Sequence, residues 1–314
     1  MKKIIKIIVD KLGMKVLSAQ GQQAMADYIA VLENMLLNYE EKGDGIICLI
    51  FSRNRAIQLY ALLNSYFKYV QHPCEVIIMY SADAGAQAAS YEQLGTLVTA
   101  KGWPVKMVKE HNFREDLIRQ LEQLQQKQVF FLVDDILFIR PMNLHDWKNI
   151  NTKEYIPSIR LGKNIDYSYA HQHAQKVPNL HPAGHDLYTW KWADGEYDWK
   201  YPLSVDGNIF SRAEILALIK SIAFKAPNSL ERELQRALPF FMQRKGITYG
   251  LPRIVNNPCN KVQDEIDNPS GDVSPEYLLQ KWNDGFELDI DKYDDIKTNS
   301  VHQELDLIFK KRAQ

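Results

Sequence analysis

Between Ile46 and Pro141, runs of apolar residues alternate with stretches in which apolar residues recur every three or four positions. Ile46 to Phe51 is a short apolar run, and the polar Ser52-Arg53-Asn54-Arg55 follows it. Ile57, Leu59, Leu62, Leu63, Tyr66, Phe67 and Val70 then follow helical spacing until His72-Pro73, and Glu75 to Tyr80 is apolar again. Strand, polar turn, helix and strand in this order predict a βαβ unit and a parallel sheet. The pattern continues with a helix over Tyr91 to Ala100, a weaker strand at Val105 to Val108 and a helix over Glu115 to Gln126. "FFLVDDILFIRP", from Phe130 to Pro141, reads as a buried strand stopping near the proline.

Outside this region the texture differs. Met25, Tyr28, Ile29, Leu32, Met35, Leu36 and Tyr39 give an amphipathic helix from Gln20 to Glu41, ended by Gly43-Asp44-Gly45. Residues 1–42 are therefore expected to form an N-terminal helical extension. Residues 43–314 are expected to form one domain, with halves at 43–140 and 141–314. From Tyr155 to Tyr201 the chain is rich in Tyr, Trp, His and Gly without a regular period, which suits a loop-dominated binding region. Helices are expected over Ser211 to Lys220, over Ser229 to Leu238, and from Ser274-Pro275 to Asp284.

Composition narrows the class. The 314 residues are 46% hydrophobic and 25% charged, the profile of a soluble globular protein. The 38 basic and 39 acidic residues balance, so there is no global electrostatic case for a nucleic-acid partner. Cys48, Cys74 and Cys259 are scattered and odd in number, which suggests neither a disulfide framework nor a zinc site and fits a cytoplasmic home. Met1 to Val9 interleaves lysine with isoleucine. It is too short to span a bilayer, and it reads as a first strand or helix, or as a weak peripheral contact with the inner face of a membrane.

Asp134 and Asp135 interrupt an apolar run, where unpaired carboxylates cost several kcal/mol each and repel one another. A metal ion, basic groups or backbone N–H donors are the available partners. Ligands of open α/β sheets sit beyond the carboxyl ends of the strands, and Ser52-Arg53-Asn54-Arg55, Ser81-Ala82-Asp83 and Asp134-Asp135 all fall at such ends.

"FSRNR", "YSAD", "FFLVDDILF" and the late "TNSVHQEL" together resemble the type A (GT-A) fold of nucleotide-sugar-dependent glycosyltransferases. The resemblance implies an α/β, Rossmann-like mixed sheet flanked by helices, with a nucleotide-sugar-binding half at 43–140 and an acceptor-binding half at 141–314. It also implies transfer of a sugar from a nucleotide-sugar donor to a hydroxyl of a carbohydrate or other acceptor, assisted by Mn2+ or Mg2+. Under it Asp135 and His302 would hold the metal, and Asp134 would take ribose or sugar hydroxyls. Ser52, Arg53 and Arg55 would meet the base or diphosphate, and Asp83 the nucleoside. The acidic motif is Asp-Asp rather than the usual Asp-x-Asp. Glu231, Asp206 and Glu233 are the acidic residues at the acceptor side. Glu231, Asp206 or Glu233 could serve as the base that an inverting transfer requires, and Gly207 could admit close approach of backbone to a sugar. A capping box between Asn228 and Glu231 is the competing reading.

The aromatic residues between Tyr167 and Tyr201 suit sugar stacking or a buried core equally. His171, His173, His181 and His185 cluster as zinc ligands would, but Pro182 and Gly184 break the helix that the four-residue step from His181 to His185 would need. Two other classes compete: a nucleotide-sugar-forming nucleotidyltransferase, which would carry a glycine-rich loop where "FSRNR" stands, and a non-catalytic carbohydrate-binding protein on the same fold.

Overall fold

A computed structural model describes residues 43–260 and 269–312. The chain divides into two units, Met1–Glu40 and Glu41–Gln314, and only the second is treated below. The helix expected over Gln20 to Glu41 and the lysine-isoleucine segment 1–9 lie outside the described residues.

The first half is the expected alternation. β1 (Ile46–Arg53) leads into α1 (Ala56–Tyr69), β2 (Val76–Ser81), α2 (Ala86–Ala100), β3 (Val105–Lys109), α3 (Phe113–Gln123) and β4 (Gln128–Val133), followed by the short β5 (Ile136–Phe138). Ile47 to Ile50 are completely buried, as befits a central parallel strand covered on both faces. α2 begins five residues before the expected Tyr91, because Ala86, Ala88 and Ala89 favour helix without contributing a hydrophobic period. α3 starts where the side chain of Asn112 accepts the backbone N–H of Glu115.

The second half holds β6 (Tyr155–Pro157), β7 (His181–Gly184), β8 (Leu187–Lys191) and β9 (Ile209–Ser211). It continues with α4 (Arg212–Ser221), α5 (Pro227–Leu234), β10 (Lys245–Tyr249), β11 (Ile254–Asn256) and α6 (Pro275–Asn283). The main sheet runs β9-β4-β1-β2-β3, with β9 antiparallel to four parallel strands. It is the mixed, helix-flanked α/β sheet that the sequence predicts. No helix among the described residues is long and apolar enough to cross a membrane.

One expectation needs correction. "FFLVDDILFIRP" is not one strand: β4 stops at Val133, the acidic pair forms a turn, and β5 leaves the sheet to pair antiparallel with β11. Two adjacent carboxylates cannot both be matched inside a sheet, so the chain turns where they occur. The aromatic stretch is largely irregular, as expected, but it also supplies β7 and β8, which join β10 and β6 in a second sheet. Trp190, Trp192 and Trp199 are its core, with ring centroids 4.7 and 4.9 Å apart and steep interplanar angles. The indole of Trp199 donates to Ile165 O at 2.8 Å, so this ring is packing material and not a surface for sugars.

Candidate active site

A cavity of about 560 Å³ opens beyond the carboxyl ends of β1, β2 and β4. Its wall brings together Ser52, Arg53, Arg55, Asp134, Asp135, Asp206, Glu231 and His302, eight of the ten residues singled out from the sequence.

The acidic pair is held from three directions. Asp134 Oδ2 accepts the Ser52 hydroxyl at 2.8 Å and the Arg53 backbone N–H at 3.1 Å. Arg55 Nη1 donates to Asp134 Oδ1 at 3.0 Å and to Asp135 Oδ2 at 2.9 Å. Asn256 Nδ2 donates to Asp135 Oδ1 at 2.9 Å, and Arg55 Nη2 is itself held by the Asn260 carbonyl at 2.6 Å. The buried run thus finds a basic partner and backbone donors at once. Burial raises the Asp135 carboxyl to about 6; Arg55 opposes that shift, and the charges of Asp134 and Asp206 reinforce it.

His302 arrives through a strand-like extension of this arrangement. Its backbone bridges Asn256, with Asn256 N donating to Val301 O and Gln303 N to Asn256 O, both at 2.9 Å. Its Nε2 lies 3.3 Å from Asp206 Oδ2. Burial by itself would lower the imidazole pKa, but the hydrogen bond and charge of Asp206 outweigh it and raise it. Asp206 sits on a tight turn whose Gly207 has φ 78, and whose amide donates to Phe131 O at 2.8 Å. A Cβ on Gly207 would come within 2.6 Å of Ile254 and 2.8 Å of Ile159. The close approach that this glycine permits is to two isoleucines of the core, not to a sugar.

Glu231 takes no part in capping. α5 begins at Pro227, one residue before the expected cap Asn228, and the Ser229 hydroxyl satisfies the backbone N–H groups of Lys225 and Ala226. Glu231 reaches across to accept the Val205 N–H at 3.2 Å. Burial, and next the charge of Asp206, push its carboxyl up to about 7, against the pull of Arg160.

Two expected residues are not in the cavity wall. Glu233, two positions after Glu231, falls on another face of α5 and pairs with Arg236 at 2.7 Å. Asp83 is exposed and holds the turn after β1, accepting Asn54 Nδ2 at 2.8 Å while its own N–H donates to Asn54 Oδ1 at 2.9 Å. That reciprocal pair supports Asn54 at φ 54.

Sequence reasoning missed Arg160, Glu110, Asn256 and Asn260, which also line the cavity. The polar "NNPCN" directly after the apolar Ile254-Val255 was a usable signal for the two asparagines. Arg160 carried none, because only folding sets it 3.8 Å from Asp198.

The donors present fit a divalent cation. Asp135 offers carboxylate oxygen, and His302 Nδ1 is buried without a hydrogen-bond partner. No group of three or more His, Cys, Asp or Glu among the described residues could hold a metal. The protein would then give two ligands, one carboxylate and one imidazole, with substrate diphosphate oxygens completing the sphere.

No family profile matches the chain. Its sequence is 25% identical over 304 residues to the bifunctional glycosyltransferase pgtA of Dictyostelium discoideum, covering 84% of this chain and 38% of that protein. The chain thus spans well under half the length of this curated relative. Among solved structures, S. aureus TarS in complex with UDP-GlcNAc is 14% identical, with a TM-score of 0.40 over 64% of this chain and 55% of that one. GalNAc-T7 with UDP, GalNAc and Mn2+ is 10% identical, with a TM-score of 0.42 over 77% and 53%. The mannosyltransferase PcManGT of Pyrobaculum calidifontis, with GDP-Man and Mn2+, is 14% identical, with a TM-score of 0.31 over 45% and 48%.

Proposed function

We propose that the chain is a glycosyltransferase that moves a sugar from a nucleoside-diphosphate donor to an acceptor hydroxyl. The carrying observation is that one cavity holds both the acidic pair at the strand ends and Glu231, a carboxyl pushed up to about 7. The sequence similarity to a bifunctional glycosyltransferase supports the same reading.

In this proposal Ser52, Arg53 and Arg55 face the nucleotide at the end of β1, and Asp134 orders both the Ser52 hydroxyl and the Arg55 guanidinium. Glu231 in its ionised form takes the proton of the acceptor hydroxyl, whose oxygen bonds to the anomeric carbon. The bond from that carbon to the diphosphate breaks, and the diphosphate leaves with the electron pair. A carboxylate with a pKa near the working pH suits this task, because it is ionised before the reaction and basic enough to accept the proton. Asp206 sustains both neighbours, raising the pKa of Glu231 and binding His302. Mn2+ or Mg2+ held by Asp135 and His302 would supply charge neutralisation of the departing diphosphate.

The test is isothermal titration with UDP, GDP, ADP and CDP, with and without manganese, on the wild type and Asp135→Asn. Manganese-dependent binding of one nucleotide, lost in the variant while its thermal unfolding is unchanged, is expected. Absence of binding under every condition would overturn the proposal, and full affinity in Asp135→Asn would remove that residue from the metal site.

A further inference from the structure

Tyr197 stands in the cavity wall with a backbone φ of 42, in the left-handed region that bulky aromatic residues rarely adopt. Such a conformation persists only where the surroundings over-determine it, and positions of this kind concentrate at ligand sites. Here the determinants are visible on both sides. Before it, the Glu196 carboxylate accepts the Lys176 N–H at 3.0 Å. After it, Asp198 N donates to Gln175 Oε1 at 3.0 Å while Gln175 Nε2 donates to Asp198 Oδ2 at 3.1 Å. The next residue, Trp199, is fully buried, and its backbone packs so close to Gly195 that a Cβ there would lie 2.1 Å from Trp199 O.

The loop is therefore pinned at three points, and the one residue left half-buried between them is an aromatic ring at the cavity. The His171 ring lies 4.7 Å from that of Tyr197 and the His173 ring 5.7 Å, tilted at 41° and 42°. Tyr169 and His171 line the cavity beside it. The tryptophans of the same stretch are committed to the core, whereas Tyr169, Tyr197 and Tyr201 line the cavity.

We propose that Tyr197 is the platform on which the acceptor stacks, and that the acceptor is a pyranose sugar. This rests on the glycosyltransferase reading and names its acceptor class. A pyranose carries C–H groups on one face and hydroxyls around its rim. The face fits the electron-rich face of a tyrosine, while the rim needs the polar wall that this cavity provides. Tyr197 and Glu231 line the same cavity, and Asp198, next to Tyr197, lies 3.8 Å from Arg160, whose charge acts on Glu231. Ser52 and Arg53, the nucleotide end in this reading, stand at the carboxyl end of β1. In this assignment a sugar on Tyr197 offers a hydroxyl to Glu231.

Saturation-transfer NMR with the methyl glycosides of glucose, galactose, mannose and N-acetylglucosamine tests this, on the wild type, Tyr197→Phe and Tyr197→Gly. At least one glycoside is expected to show strong transfer to the ring protons of one face. Tyr197→Phe keeps it, and Tyr197→Gly weakens it about tenfold, the size of a lost stacking contact. Glycine accepts the left-handed conformation, so Tyr197→Gly is expected to unfold at a temperature no lower than the wild type. Equal glycoside affinity in Tyr197→Gly, or no transfer to any glycoside, overturns the assignment. So does a fall in nucleoside-diphosphate affinity with glycoside binding intact, which would make Tyr197 a nucleobase platform. Nucleotide titration of the wild type is read separately, so failure of the donor site and failure of the acceptor platform give different results.

Discussion

Arg55 Nη1 lies 3.0 Å from Asp134 Oδ1, a contact that closes 79 residues of sequence. The same nitrogen lies 2.9 Å from Asp135 Oδ2, so one guanidinium bridges two carboxylates at the end of the central strands. The side chains are only 10%, 5% and 11% exposed, in the order Arg55, Asp134, Asp135. Arg55→Ala leaves two buried charges facing each other and is expected to destabilise the fold by about 3–5 kcal/mol. Urea unfolding measures it. The double variant Arg55→Ala, Asp134→Asn should recover part of the loss, and a double variant less stable than Arg55→Ala would contradict the pairing.

Glu231 sets a pH dependence with a definite sign. Its folded pKa, about 7, lies above the ordinary value of 4.5, so the ionised base accumulates only as pH rises. The proposed transfer should therefore show kcat/KM rising with pH and levelling above about 7, and Glu231→Gln should lower kcat by about 10²–10⁴. Stability runs the other way. A raised carboxyl pKa favours the folded state fully below the unfolded value of 4.5, and that contribution is lost as pH rises through about 7. Glu231→Gln carries no such loss. Relative to the wild type it should gain stability between pH 5 and pH 8, which thermal melts across that range would register.

Asp83 lies outside the cavity wall, joined to Asn54 by hydrogen bonds of 2.8 and 2.9 Å. An asparagine at position 83 can still accept from Asn54, so Asp83→Asn is expected to change stability by less than about 0.5 kcal/mol. Its nucleoside-diphosphate affinity should stay within about twofold of the wild type. Loss of nucleotide binding in Asp83→Asn would return Asp83 to the donor site.

The alternation of apolar runs and helical periods from Ile46 to Val133 is a local property, and local properties are written in the sequence. β1, α1, β2 and β3 fall where the pattern puts them, give or take one or two residues, because each buries its own apolar stripe, whereas β4 begins as expected but stops at Val133. The clustering of Ser52, Arg55 and Asp134 is nearly as legible. Parallel strands in register, with Phe51 opposite Val133, bring their carboxyl ends side by side.

What lay beyond the pattern depends on contacts between distant segments. The antiparallel β5–β11 pair carries Asn256 to Asp135, and the bridge from Asn256 carries His302 into the cavity, 167 residues after Asp135 in the chain. No periodicity encodes such pairings. The fate of the aromatic residues was equally hidden: Trp190 and Tyr197 belong to one stretch of similar composition, yet one is 2% exposed and the other faces the cavity. Sequence alone determined the sheet and the chemistry at its edge, since burial and strand direction follow from neighbours in the chain. Tertiary structure alone decided that Glu231 reaches Val205 instead of capping its helix, and that Asp83 binds Asn54 outside the cavity wall. It also decided that Arg55 meets the acidic pair, because each of these is a choice among partners that only the packed chain brings within a few ångströms.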